Sequence, residues 1–385
     1  MKPFAKIPSQ IPGSGIREIM HLAWQVEDAI HLEVGQPDFP TPEHIVEATC
    51  RYVRDGHTKY VENAGVAELR AAAARYLEKK TGVPTGPENI LVTTGAVMSV
   101  ATAFMALLEP GDEILLPDPG WPNYAMAASL MHGQCVFYKQ RSENQFLPEV
   151  SELERLVTER TKLVLICSPS NPTGQVQGAD LTRELMAFAR KHDLYVLSDE
   201  IYGEIVFDQD HVSALPFDED ERTLIVGGVS KSHAMTGYRV GFTRARPEYI
   251  SLATKLQEPF VSCGVGFAQL AAVEALEGPQ DCVRAMRDAY KARRDVALEV
   301  LKENGLYRYS PGGAFYVLVD ISATGMNSRD FALELLKDKK VAVAPGSSFG
   351  HMCSDHIRIS FASPEESIRE GLRRIGAMIQ EKTRA

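Results

Sequence analysis

Leu194-Tyr195-Val196-Leu197-Ser198-Asp199-Glu200-Ile201-Tyr202 is the stretch that decides the fold. An almost unbroken apolar run ends at a carboxylate and, three residues later, a phenol. A run of this length reads as a strand buried on both faces, and such strands belong to parallel sheets covered by helices.

The same pattern recurs on both sides of it. Segments 90–93, 113–116, 135–138, 162–167, 223–226 and 240–243 are further short apolar runs, so that with 194–198 there are seven. Between them lie patterns such as 98–108 and 181–191, whose apolar residues recur at three- and four-residue spacing and predict crossover helices. The expectation is an α/β fold: a large domain over residues 46–284 with a mostly parallel seven-stranded sheet between helices.

A charged, alanine-rich helical pattern follows from about residue 284 to 303. Segments 315–319, 341–344 and 357–361 then read as short strands of a smaller α+β unit, residues 285–385. Residues 1–45 have no core pattern of their own and are expected to pack with that unit, bordering the cleft at 34–39.

Composition excludes several classes. A chain of 385 residues, 44% hydrophobic and 24% charged, is globular and long enough for two cores. Its 41 basic and 51 acidic residues are spread along the chain, leaving a net charge of −10 and no basic stripe for a nucleic acid. Cys50, Cys135, Cys167, Cys263, Cys282 and Cys353 show no CxxC spacing, so neither a metal site nor a disulfide framework is expected, and a cytoplasmic setting fits. No run approaches the roughly 18 apolar residues of a membrane span, and the first 15 residues lack an apolar export core.

In an open α/β sheet, ligands collect where the strands end. Leu224-Ile-Val-Gly-Gly-Val-Ser230-Lys231 places a lysine just past a buried strand, with Arg239 eight residues on. Such a lysine can be desolvated and so become a nucleophilic free amine. Asp199 at the end of its strand would suit a pyridinium nitrogen, keeping that ring an electron sink. Leu165-Ile-Cys-Ser-Pro-Ser-Asn171-Pro-Thr-Gly174 offers an amide donor for a phenolate oxygen, and Val92-Thr-Thr-Gly95-Ala96-Val97 offers backbone N–H groups at a helix start to an anion. Each has a plainer reading alone: a solvated loop lysine, a helix cap, a turn, a glycine bend. Their common position at strand ends favours the shared purpose.

The ordered set Gly95-Ala96, Trp121, Asn171-Pro-Thr-Gly, Asp199 with Tyr202, Ser230-Lys231 and Arg239 resembles the class I/II aminotransferases, pyridoxal 5′-phosphate (PLP) enzymes of fold type I. The resemblance runs over essentially the whole chain. It implies that Lys231 forms the Schiff base and shuttles the proton, that Asp199 pairs with the pyridinium nitrogen, and that Asn171 and Tyr202 hold the ring's O3′. It further implies that Trp121 stacks on the ring and that Ser230, Arg239 and the amides of Ala96 and Val97 hold the phosphate. Arg358, in His-Ile-Arg-Ile-Ser, is then the bidentate clamp on the substrate α-carboxylate, with Gly35 as its backbone partner. Tyr60 matches the tyrosine that reaches the neighbouring subunit's cofactor, which implies a homodimer. Where many relatives carry a phosphate-binding serine three residues before the lysine, this chain has Gly228, which gives Ser230 more of that role. The stretch 260–269 also departs from the family pattern.

The implied reaction moves an amino group from an L-amino acid to 2-oxoglutarate or pyruvate by a ping-pong mechanism. Two other readings share parts of the pattern: a PLP-dependent C–S β-lyase, and a non-catalytic PLP- or amino-acid-sensing protein. The latter usually brings a DNA-binding segment, for which this chain has neither the charge nor the length. No second cationic clamp for dicarboxylates stands out; Arg17, near the expected cleft entrance, reads as structural, and neutral or aromatic donors are favoured.

Overall fold

The computed structural model describes residues 2, 4, 6–11 and 13–384. A first short strand, β1 (Ile30–His31), precedes the main sheet. That sheet is built from β2 (Ile90–Thr93), β3 (Glu113–Asp118), β4 (Gln134–Lys139), β5 (Thr161–Cys167), β6 (Tyr195–Asp199), β7 (Thr223–Gly228) and β8 (Gly241–Arg244). Its order is β2-β8-β7-β6-β5-β3-β4, with β8 antiparallel to both neighbours and the other pairings parallel. This is the mostly parallel seven-stranded sheet expected from the apolar runs.

Alternate side chains of these strands feed two separate cores. Leu115, Val164, Ile166, Val196 and Ile225 pack with Leu185, Met186 and Phe188 of the helix Ala179–Lys191. Ile114, Leu163, Leu165, Leu197 and Leu224 pack with Val100, Ala103 and Phe104 of the helix Ala96–Leu107. Burial on both faces explains why the strands read as continuous apolar runs. β4 departs from this: it is an edge strand, and Gln134 and Lys139 are exposed.

Beyond the helix Asp281–Glu303, β9 (Tyr316–Asp320), β10 (Val341–Ala342), β11 (Ala344–Pro345) and β12 (His356–Ser360) complete the strands. β11, β12 and β9 form an antiparallel sheet in that order, while β10 pairs with β1 in parallel. Segment 341–344, expected as one strand, is therefore divided between two sheets. The chain changes partner at the buried Val343, and an apolar run cannot show which backbone its N–H groups will meet. Ile19, Ala23 and Leu32 share a core with Val317, Val319, Ile357, Ile359 and Leu372, so this part of the early segment lies against the second sheet, whereas the helix Lys6–Gln10 meets the helix Pro122–Leu130 and Ile45 packs with Leu69, Val92 and Val229 of the large unit. Among the described residues, no helix is long and apolar enough to cross a membrane.

Candidate active site

β5, β6 and β7 are adjacent and parallel, so their carboxyl ends open on one edge of the sheet. Asn171 follows β5, Asp199 ends β6 with Tyr202 in the next turn, and Ser230 and Lys231 follow β7. Arg239 precedes the antiparallel β8 and so returns to the same edge. A cleft of about 630 Å³ is lined there by Asn171, Asp199, Tyr202, Ser230, Lys231 and Arg239. Ala96, Val97 and Trp121 line it from the large sheet's side, and Gly35, Tyr316 and Arg358 close it from the other.

Lys231 Nζ donates to the Gly35 carbonyl at 2.8 Å and lies 5.9 Å from the centroid of the Tyr202 ring. Desolvation, reinforced by the positive charges of Arg358 and Arg239, lowers its pKa to about 8. Asp199 is buried, and burial raises its pKa; the Tyr124 hydroxyl, donating to Oδ2 at 2.7 Å, and the Ile201 N–H, donating to Oδ1 at 3.2 Å, oppose that rise. It forms no ion pair among the described residues.

Gly95 caps the helix Ala96–Leu107 with φ +75°, a conformation that favours glycine. A Cβ on Gly95 would collide with the Arg239 guanidinium, which packs directly over the helix start. A Cβ on Gly241 would lie 2.6 Å from the Ala96 nitrogen, so β8 presses the same turn from behind. Free N–H groups, the positive end of a helix and an arginine thus meet in one place.

Arg358 sits in β12, fully buried. Its Nη1 donates to Asn171 Oδ1 at 3.0 Å and its Nη2 to the Glu33 carbonyl at 2.5 Å. The guanidinium lies 4.3 Å from the Tyr316 ring centroid and 4.8 Å from that of Phe349. The Tyr316 hydroxyl is in turn 2.8 Å from that of Tyr202, which joins the two sheets across the cleft.

The structure thus gathers Gly35, Gly95, Ala96, Val97, Trp121, Asn171, Asp199, Tyr202, Ser230, Lys231, Arg239 and Arg358 around one cleft. Tyr60 stands apart, 91% exposed on the surface. Three side chains of the site escaped the sequence reading. Tyr124 lies one helical turn beyond Trp121, a spacing that could have suggested a shared face. Tyr316 pairs with Ser360 in the ladder that pairs Leu318 with Arg358, so it shares Arg358's face of the second sheet, a relation only strand register reveals. Arg17, read as structural, lines the cleft with its guanidinium making no hydrogen bond or ion pair to any described residue; only its backbone N–H is engaged, by the Ser14 hydroxyl.

A family model described as aminotransferase class I and II matches residues 27–375. An aspartate aminotransferase of Pyrococcus horikoshii is 38% identical over 369 residues, covering 95% of this chain and 94% of that protein. Aromatic-amino-acid aminotransferase 2 of Thermococcus litoralis is 37% identical over 374 residues, covering 96% of each. Among solved structures, the aspartate aminotransferase from Thermus thermophilus with maleate superposes with a TM-score of 0.93 at 34% identity, covering 98% of this chain and 100% of that one. With its sheet order and helix layers already those of fold type I, the chain belongs to the class I and II aminotransferases, transaminases whose cofactor is pyridoxal 5′-phosphate.

Proposed function

We propose that this transaminase moves the amino group of an L-amino acid to 2-oxoglutarate in two successive half-reactions, with Lys231 as the covalent anchor of the cofactor and the base for the substrate Cα proton. The observation that carries the reading is the convergence of a desolvated amine, a buried carboxylate and a buried arginine on one cleft, supplied by Lys231, Asp199 and Arg358.

The residues present fit PLP. Asp199 is a buried carboxylate with no ion-pair partner among the described residues, as a protonated ring nitrogen would require. The turn at Gly95, with the N–H groups of Ala96 and Val97, Ser230 and the overlying Arg239, suits a phosphate. Asn171 and Tyr202 would hold the ring's oxygen, and Trp121 would cover its face. When bound, the cofactor supplies an electron sink that weakens the bond from Cα to hydrogen.

The protein's own groups do the rest. Arg358 presents two donors to the α-carboxylate, a geometry that fixes which Cα bond faces Lys231. Lys231 Nζ takes up and returns the proton, and its lowered pKa keeps a substantial free-amine fraction near neutrality. We further propose that residues 285–385, carrying residues 16–32, form a domain that closes on residues 46–284 and excludes water.

For the side chain of the substrate, the guanidinium of Arg17, unpaired among the described residues, supports a dicarboxylate, with 2-oxoglutarate as acceptor and aspartate among the donors. This moves the reading away from purely neutral or aromatic donors; the Thermus relative solved with maleate, itself a dicarboxylate, agrees with it. The exposed Tyr60 supports a homodimer in which it reaches the partner's phosphate site, and six unpaired cysteines suit the cytoplasm. Formation of glutamate from 2-oxoglutarate, measured across a panel of donors, tests the reading; no glutamate with any donor would overturn it.

A further inference from the structure

The hydroxyl of Tyr124 is the one side-chain donor that Asp199 has among the described residues. It approaches Oδ2 at 2.7 Å, and the opposite oxygen receives the Ile201 N–H at 3.2 Å. Both residues are buried, Tyr124 at 2% and Asp199 at 3% exposure, so losing this bond leaves a desolvated carboxylate oxygen with one donor fewer. Nothing in the sequence reading or the proposed roles gives Tyr124 a task.

Its placement is specific. Tyr124 lies in the first turn of the helix Pro122–Leu130, whose N-cap is Trp121, and its backbone N–H donates to the Trp121 carbonyl at 3.1 Å. The two rings meet edge to face, with centroids 5.4 Å apart and planes at 87°. One helix start therefore fixes both an indole at the wall of the cleft and a hydroxyl behind the carboxylate at its floor.

A carboxylate desolvated to this degree tends to take up a proton, and a protonated Asp199 could not hold a positive charge beside it. A hydroxyl donor opposes that tendency and also fixes which oxygen is left for the ligand. Burial keeps the Tyr124 phenol itself neutral, so it remains a donor throughout the working pH range.

We propose that Tyr124 is a positioning residue that, through its hydrogen bond to Asp199 Oδ2, keeps this carboxylate ionised and aimed at the ring nitrogen of the bound cofactor. The inference rests on the assignment of Asp199 to that nitrogen.

The test compares wild type with Tyr124→Phe, which removes one oxygen and keeps the ring, on two cofactors: PLP and its N-methylated analogue, whose ring nitrogen is permanently positive. With PLP, Tyr124→Phe should lower kcat about tenfold with little change in KM, and should weaken cofactor binding to the apoprotein about fivefold by fluorescence titration. With the N-methylated cofactor, whose charge no longer depends on a proton held by Asp199, the loss in kcat should shrink to within about twofold. Equal losses with both cofactors, or no loss with PLP, would overturn the proposal. An unchanged melting temperature of the apoprotein separates these outcomes from a folding defect. Asp199→Ala distinguishes the underlying assignment: if it leaves PLP affinity and kcat intact, that assignment fails, whatever Tyr124 does.

Discussion

Arg358 donates through Nη1 to Asn171 Oδ1 at 3.0 Å, a bond between the second sheet and the carboxyl end of β5. Arginine can only donate, so the amide oxygen of Asn171 must face it and the amide nitrogen is turned the other way. One contact thereby orients two groups: the arginine fork and an N–H donor that remains available to a ligand oxygen.

Removing that bond should affect two ligands at once. Asn171→Ala is expected to lower kcat/KM by about 10- to 100-fold, the usual range for losing hydrogen bonds to charged partners. Because the freed Arg358 also loses its orientation, KM for the amino donor should rise together with the cofactor's dissociation constant. Steady-state kinetics at saturating PLP, set beside a cofactor titration, checks both.

Much of this site could be read directly from the sequence, for a physical reason. Lys231, Asp199 and Asn171 each end or follow a strand buried on both faces, and polar residues that interrupt such apolar runs stand out. The seven runs likewise gave the sheet. What could not be read depends on partners distant in sequence. Tyr316 reaches Tyr202 across 114 positions, and Tyr124 reaches Asp199 across 75; neither has a local signal beyond an aromatic in an ordinary apolar pattern. The division of segment 341–344 between two sheets has the same origin, since its register is set by β1 and β12. Arg17 was visible as a residue, but not its place in the cleft wall.

Arg17 gives the next prediction. If its guanidinium meets the far carboxylate of a dicarboxylic substrate, Arg17→Ala should raise KM for 2-oxoglutarate and aspartate about tenfold while leaving that for pyruvate and alanine within about twofold. Arg17 is exposed at the cleft, so the melting temperature should stay within about 2 °C of wild type while selectivity changes. Equal effects on both substrate classes would remove Arg17 from the substrate site.

Acidity at Lys231 sets a pH dependence. With its pKa lowered to about 8, the amine is mainly ammonium below that value and mainly free above it. Capture of PLP by the apoprotein should therefore accelerate about tenfold per pH unit on the acid side and level off above about pH 8. A plateau reached only near pH 10 would mean that the amine is not desolvated in solution. Stopped-flow absorbance across this range makes the measurement.

Gly95 is a demanding backbone position beside the cleft. A Cβ there meets the Arg239 guanidinium, and φ +75° is strained for any other residue. Gly95→Ala should push Arg239 off the helix start and weaken PLP binding by about tenfold or more, whereas pyridoxal, which lacks the phosphate, should lose little affinity. The comparison of the two ligands by fluorescence titration isolates the phosphate site.

The central claim is that the cleft performs amino transfer in halves that stop without an acceptor. The direct measurement supplies the PLP-loaded enzyme with excess L-aspartate and no 2-oxo acid, quantifies oxo acid and ammonia per active site, and then adds 2-oxoglutarate. The account predicts one equivalent of oxo acid, no free ammonia, and resumption of turnover with glutamate appearing when the acceptor arrives, all abolished in Lys231→Ala. Continued release of oxo acid and ammonia before any acceptor is added, or unchanged turnover in Lys231→Ala, would contradict it.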